Sequence, residues 1–171
     1  MTTPVLPSRP LRPRLAVRIR VRLLVLVARV LAKRSPQCIR RVMTAFSAGT
    51  RAAGHGEARQ ARDEVLSVST RCCGPSACLP RSIAVALLCR SRGTWPTWCV
   101  GVVAAPPFRA HAWIEVAGEM VDEPVDSACY RRFFAVEPAP ARGFGHRGQG
   151  LGRSAAGGRP ETRSARSESP R

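Results

Sequence analysis

The first 41 residues contain no acidic side chain, and the whole chain contains one lysine, Lys33. Aromatic residues make up only 5% of it. Within the first helical stretch the longest unbroken apolar run, Leu23 to Ala28, is far short of the ~20 residues a membrane-spanning helix needs. A basic stretch and an apolar stretch stand near the start, but no clean small-residue cleavage site follows them, which argues against a secretory signal. The cysteines number seven, an odd count with no regular spacing, which argues against a disulfide framework. Structural zinc is disfavoured as well: Cys72, Cys73 and Cys78 could supply three ligands, but no second paired spacing follows. Histidine is scarce, at His55, His111 and His146.

What is abundant is arginine, and it gives a net charge of +17. Such a balance suggests a polyanionic partner, but the charge is unevenly placed. Residues 1–41 hold 11 basic side chains, and residues 138–171 hold 7 against 2 acids. Residues 72–137 hold 6 of each sign. The positive charge belongs to the flanks, and the use of arginine over lysine beside plentiful Ala, Gly and Pro fits a GC-rich coding sequence. Nucleic-acid binding is therefore not expected.

The 171 residues suit one domain with ragged ends. Residues 1–13 carry four prolines and are expected to be disordered. A basic helical region follows over 14–56. Its first helix, 14–33, has Leu15, Ile19, Leu23, Leu26, Val30 and Leu31 on a broad apolar face expected to pack on the domain, with Pro36 closing it. A short helix over Cys38 to Phe46 ends before Gly54-His55-Gly56. The catalytic domain is expected over 57–137. It begins with a helix over 57–71 and a turn at Cys73-Gly74-Pro75-Ser76, where Ser76 would cap the next helix. That helix, Ala77 to Arg92, is apolar on most sides and should be central and buried, with Gly93 as its stop. Strands are expected over Thr97–Val103, His111–Val116 and Met120–Val121, with a loop at Pro106-Pro107 and a tight turn at Gly118; Tyr130–Val136 reads as a last strand or an ordered tail. Residues 138–171 lose all apolar periodicity and read as a disordered basic tail.

The chemistry centres on two residues. Cys78 stands at a helix start, where aligned backbone dipoles and free N–H groups lower a thiol pKa and could also hold an oxyanion. His111 is the one histidine in a structured, apolar context, and it opens a strand. A thiol and an imidazole of this kind form a nucleophile and its base. A third group would orient the imidazole. Asp122 and Glu123 lie on the chain returning from the Gly118 turn, and alternation allows only one of them to face His111. Asp126 is a looser candidate, while Glu115 and Trp113 share the face of His111.

These residues carry a resemblance. The order Cys-helix, strand-His, strand-acid is similar to the transglutaminase-like branch of papain-type folds. The match extends to the B2 proteins of lasso-peptide biosynthesis, the leader peptidases. It is carried by Cys78-Leu79, Arg81-Ser82, Leu87-Leu88 and Arg90-x-Arg92-Gly93, then by Trp98-Cys99-Val100-Gly101-Val102. It continues in Pro106-Pro107-Phe108-x-Ala110-His111-Ala112-Trp113-x-Glu115-Val116-x-Gly118 and in Glu123-Pro124. The resemblance implies an α+β fold: a transglutaminase-like core with a central Cys-bearing helix packed on a small antiparallel sheet, preceded by N-terminal helices. It implies Cys78 as nucleophile and His111 as base. The acid in many members lies twelve positions after the histidine, which is Glu123 here; Asp122 has the usual residue type one position early and stays open.

The implied activity is a cytoplasmic cysteine peptidase that cuts the leader from a ribosomally made lasso precursor peptide, with no cofactor or metal. A separately encoded leader-recognition protein and an ATP-dependent macrocyclase are the implied partners. Two other readings stand beside it. One is a nucleic-acid or membrane-surface binding protein that uses the basic first helix. The other is a catalytically idle transglutaminase-like scaffold.

Overall fold

The structure is a computed structural model that describes residues 5–8, 11, 13–74, 76–104, 108–123 and 129–139. The tail expected to be disordered, from 140 onward, lies outside the described residues, as do the Pro106-Pro107 loop, Pro124 and Asp126.

The organising element is α4, Cys78–Arg90, in which every residue from Arg81 to Cys89 is buried. Its apolar residues point in all directions, so it needs partners on all sides. Three helices supply part of this cover. The first, α1 (Leu15–Leu31), contributes Val21, Val25, Ala28 and Leu31. The second, α2 (Pro36–Ser47), contributes Ile39 and Met43. The third, α3 (His55–Val68), contributes Ala58, Ala61, Val65 and Leu66. Small side chains on α1 and α3 bring those helices close to α4, and all four share one hydrophobic core.

The α1 face expected to pack is the outer one. Leu15, Ile19, Leu23, Leu26 and Val30 are exposed, and only Leu31 of that set is buried. The helix is apolar on two sides, and the core takes the side holding Ala28, whose size permits close approach. Pro36 opens α2 at its first position, and the Ser35 hydroxyl accepts from the Cys38 N–H at 3.4 Å. Ser76 is not the cap of α4: Ala77 holds that position and no side chain bonds to the first turn.

The sheet covers the remaining side of α4. Its four antiparallel strands run in the order β5-β4-β3-β6. They are β3 (Thr97–Val103), β4 (Ala110–Val116), β5 (Glu119–Met120) and β6 (Tyr130–Val136). The expected third strand is displaced by one residue, because Ala117 and Gly118 both have positive φ, at 52° and 84°, and turn the chain at once. A separate parallel pair joins β1 (Arg51–Ala52) to β2 (Thr94–Trp95). Trp98, Ile114 and Val136 enter the core from the sheet. The buried Trp98 indole donates to the Ser82 hydroxyl of α4 at 3.0 Å, a strut from sheet to helix. Among residues 5–13 the described positions form no regular element, yet Val5, Ser8 and Leu11 donate backbone bonds to Cys73, Asp63 and Ser67.

Candidate active site

Cys78 is the first residue of α4, and it is followed by Leu79 and Pro80. The backbone N–H groups of this turn have no partner within the helix, Pro80 has none to satisfy, and no side chain caps them. The N–H groups of Leu79 and Ala112 lie against the Cys78 sulfur. Ala112 follows His111 on β4, so the sheet reaches the thiol through backbone as well as imidazole.

His111 sits in β4 opposite Gly101 of β3. Gly101 is needed there: a Cβ would lie 2.1 Å from the Arg131 carbonyl oxygen and 2.9 Å from the Trp113 ring. The β3–β6 register shifts at this point, between Val100 and Gly101. The close approach brings Tyr130 of β6 beside the site. The rings of His111, Trp113 and Tyr130 form a triangle, with centroids 5.0 Å apart for His111 and Tyr130, 5.9 Å for His111 and Trp113, and 5.4 Å for Trp113 and Tyr130.

The two candidate acids are separated by backbone conformation. Asp122 has φ of 49°, a left-handed geometry that aspartate tolerates better than most residues. Its carboxylate turns outward, pairing with Arg59 at 3.0 Å and accepting from the Ser8 hydroxyl at 3.1 Å. Glu123 turns inward, and its Oε2 lies 3.1 Å from His111 Nε2. With Nε2 engaged by Glu123, Nδ1 is the nitrogen available to Cys78. Glu115 shares the strand face of His111 but serves other partners. It accepts from the Trp113 indole at 2.7 Å and from Arg132 at 3.0 Å. Asp126 lies outside the described residues.

Two arginines brace the acid, and composition gave no reason to single them out. Arg81 is one turn beyond Cys78 on α4, with its guanidinium 3.9 Å from Glu123 Oε1 and bonded to the Cys72 carbonyl at 3.2 Å; both partners of the ion pair have side chains only 5% exposed. The three-residue spacing of Cys78 and Arg81 is the signal that could have found it. Arg62, buried on α3, donates to the Asp122 carbonyl at 2.6 Å and so fixes the bend that separates the two acids. Burial lowers the Arg62 pKa, while Glu123 and Asp122 oppose that effect.

The electrostatics follow from these contacts. Burial alone would raise the Cys78 thiol. The hydrogen bond and charge of His111, with the Ala112 and Leu79 N–H groups, outweigh it and hold the thiol below its ordinary 9.0. Burial likewise disfavours the His111 imidazolium, but hydrogen bonds to Cys78 and Glu123 and the Glu123 charge raise its pKa from 6.5 to about 9. Burial wins at the other extreme, where Cys89 and Cys99 are pushed up to about 12. All seven cysteines are free thiols. Among the described residues, no group of three or more His, Cys, Asp or Glu side chains is placed to hold a metal ion. The arrangement can supply a nucleophilic thiolate, an acid–base imidazole and a carboxylate that holds the imidazole in place.

The comparisons with known proteins agree with this architecture at the level of the family. Among curated proteins and among solved structures, none matches the chain. A family model described as the transglutaminase-like superfamily matches residues 21–135. The match runs from within α1 into β6 and takes in the helix that bears Cys78, the strand that bears His111 and the turn that bears Glu123. The chain therefore belongs to the transglutaminase-like superfamily.

Proposed function

We propose that the protein is a cysteine peptidase that removes the leader from a ribosomally made lasso precursor peptide, freeing the core N-terminus for cyclisation by a partner enzyme. The observation that carries the peptidase reading is the contact chain Cys78–His111–Glu123, with its lowered thiol and raised imidazole pKa. The narrower substrate class rests on the leader-peptidase motifs that surround Cys78 and His111. A cytoplasmic setting, a small leader-recognition protein and an ATP-dependent macrocyclase belong to the same reading.

The chemistry takes four steps. His111 takes the Cys78 proton, and the imidazolium is held by Glu123. The thiolate attacks the carbonyl at the leader–core junction, and free N–H groups at the start of α4 receive the oxyanion. His111 then gives its proton to the departing core amine, leaving the leader as a thioester on Cys78. Water, deprotonated by His111, hydrolyses the thioester and restores the thiol.

The test is mass spectrometry of a cognate precursor incubated with its leader-recognition protein and this chain. The expected products are free leader and a core with a new N-terminus, and Cys78→Ala should yield neither while keeping its melting temperature. Cleavage that persists in Cys78→Ala would end the proposal. The assembled contact chain also favours this reading over an idle scaffold, which would not need His111 and Glu123 poised on the thiol.

A further inference from the structure

The outer side of α1 poses a question the peptidase reading does not answer. Leu15, Ile19, Leu23, Leu26 and Val30 form one continuous stripe at 4-4-3-4 spacing, and these side chains are 50–70% exposed. The 17-residue helix makes the stripe about 25 Å long. An apolar surface of this extent on a chain that already has a core marks a contact with something else.

The charges beside the stripe select the occupant. On one edge stand Arg18, Arg22 and Arg29; on the other stands Arg20. No acid occurs anywhere in residues 1–41. A second copy of the chain would set these arginine rows against each other with nothing to neutralise them. Nucleic acid would meet aliphatic side chains where it offers phosphates. An anionic bilayer surface offers both things the helix needs: acyl chains for a convex aliphatic stripe and negative headgroups along both edges at once.

A second feature lies on the same edge. Arg22, Arg29 and Arg71 line a depression of about 340 Å³ between α1 and the turn after α3. Arg29 and Arg71 also line the adjoining one of about 370 Å³, which reaches Ala77 at the start of α4. No acid lines either among the described residues. Each has room for a phosphate beside the stripe.

We propose that the outer face of α1 is a docking surface for anionic lipid. The aliphatic stripe enters the headgroup–acyl boundary with the helix lying in the membrane plane, and Arg22, Arg29 and Arg71 hold headgroup phosphates. Among the described residues no helix is long and apolar enough to cross a membrane. The docking is peripheral, with the inner face of α1 still packed on the core.

Flotation of the full-length protein with unilamellar vesicles tests this. Vesicles of phosphatidylcholine with phosphatidylglycerol should carry the protein up the gradient, those of phosphatidylcholine alone should not, and added salt should weaken binding. Leu23→Glu with Leu26→Glu, both at exposed positions, should abolish flotation with the circular dichroism unchanged. Arg29→Gln with Arg71→Gln should lower affinity about fivefold per charge removed, from about 1 kcal/mol per basic residue at an anionic surface. Absence of flotation with the anionic vesicles overturns the proposal, as does flotation that survives both leucine changes. A dimer in sedimentation velocity that those leucine changes dissolve, without vesicle binding, overturns it in favour of self-association.

Discussion

Replacing Glu123 by Gln isolates the contribution of the acid, because the amide keeps the shape and loses the charge. The rise of His111 from 6.5 to about 9 corresponds to about 3 kcal/mol favouring the imidazolium. Cys78 and Glu123 both contribute to it, so removing the Glu123 charge takes away part of that preference. Each pKa unit lost from His111, about 1.4 kcal/mol, makes the thiolate–imidazolium pair roughly tenfold harder to form at neutral pH. The assay needs no substrate. Iodoacetamide alkylation of Cys78, followed by mass spectrometry of its peptide, measures thiolate directly. Buried Cys89 and Cys99, at about 12, act as silent internal controls. In the wild type, the Cys78 thiolate should form below pH 9.0, and His111 should lose its proton near pH 9. In Glu123→Gln the reactivity at neutral pH should fall about tenfold and the His111 titration should move toward 6.5. Asp122→Asn should leave both unchanged, because its carboxylate serves Arg59 and Ser8. Equal effects of the two changes, or an unmoved His111 titration in Glu123→Gln, would refute the assignment of the acid.

Other consequences are open to simpler measurements. Arg81→Met should leave Glu123 with His111 as its remaining ion-pair partner, leave the buried Cys72 carbonyl without its Arg81 donor, and lower stability by about 1–3 kcal/mol in chemical denaturation. Asp122→Asn, whose partner Arg59 has a half-exposed side chain, should cost no more than about 1 kcal/mol by the same measurement. Gly101→Ala should cost about 1–3 kcal/mol by overpacking against Arg131 and Trp113, with a melting temperature lower by about 2–4 °C per kcal/mol. Protonation linked to His111 has a definite sign in Cys78→Ala, where Glu123 is the remaining partner. A raised histidine pKa stabilises the fold fully below 6.5, and that contribution drains away as pH rises through the folded value. Thermal melts of Cys78→Ala across this interval should therefore decline more than those of Cys78→Ala with Glu123→Gln.

The parts of this site that sequence exposed are those with a local signature. A nearly all-apolar helix after a turn marked α4 as central, and a histidine at the head of an apolar strand pattern marked His111. The acid was harder because alternation along a strand says that Asp122 and Glu123 face opposite ways, not which faces in. The choice is made by a left-handed Asp122 and by Arg62 holding its carbonyl from sixty residues away, and neither is encoded in local pattern. The α1 face was misjudged for a related reason. Hydrophobic periodicity reports that a face is apolar, and α1 has two such sides. Which one is buried depends on the small Ala28 meeting α4, a fact of packing. The Ser76 cap failed because a favourable residue type near a helix start does not guarantee the geometry: the helix begins two positions later, with its first N–H groups open beside the thiol.

One coordinate of the molecule is set mechanically. Cys78 and Arg81 ride on the same turn of α4, so any shift of that helix carries nucleophile and brace together. His111 rides on the sheet. The meeting of thiol and imidazole is therefore set by a gap width, the spacing between one helix and one sheet, and Trp98 bonded to Ser82 acts as its spacer. Trimming that indole should loosen the alignment of thiol and imidazole while Cys78, His111 and Glu123 all remain in the chain. Activity would then vary with the thickness of a core layer rather than with the identity of any group that touches the substrate.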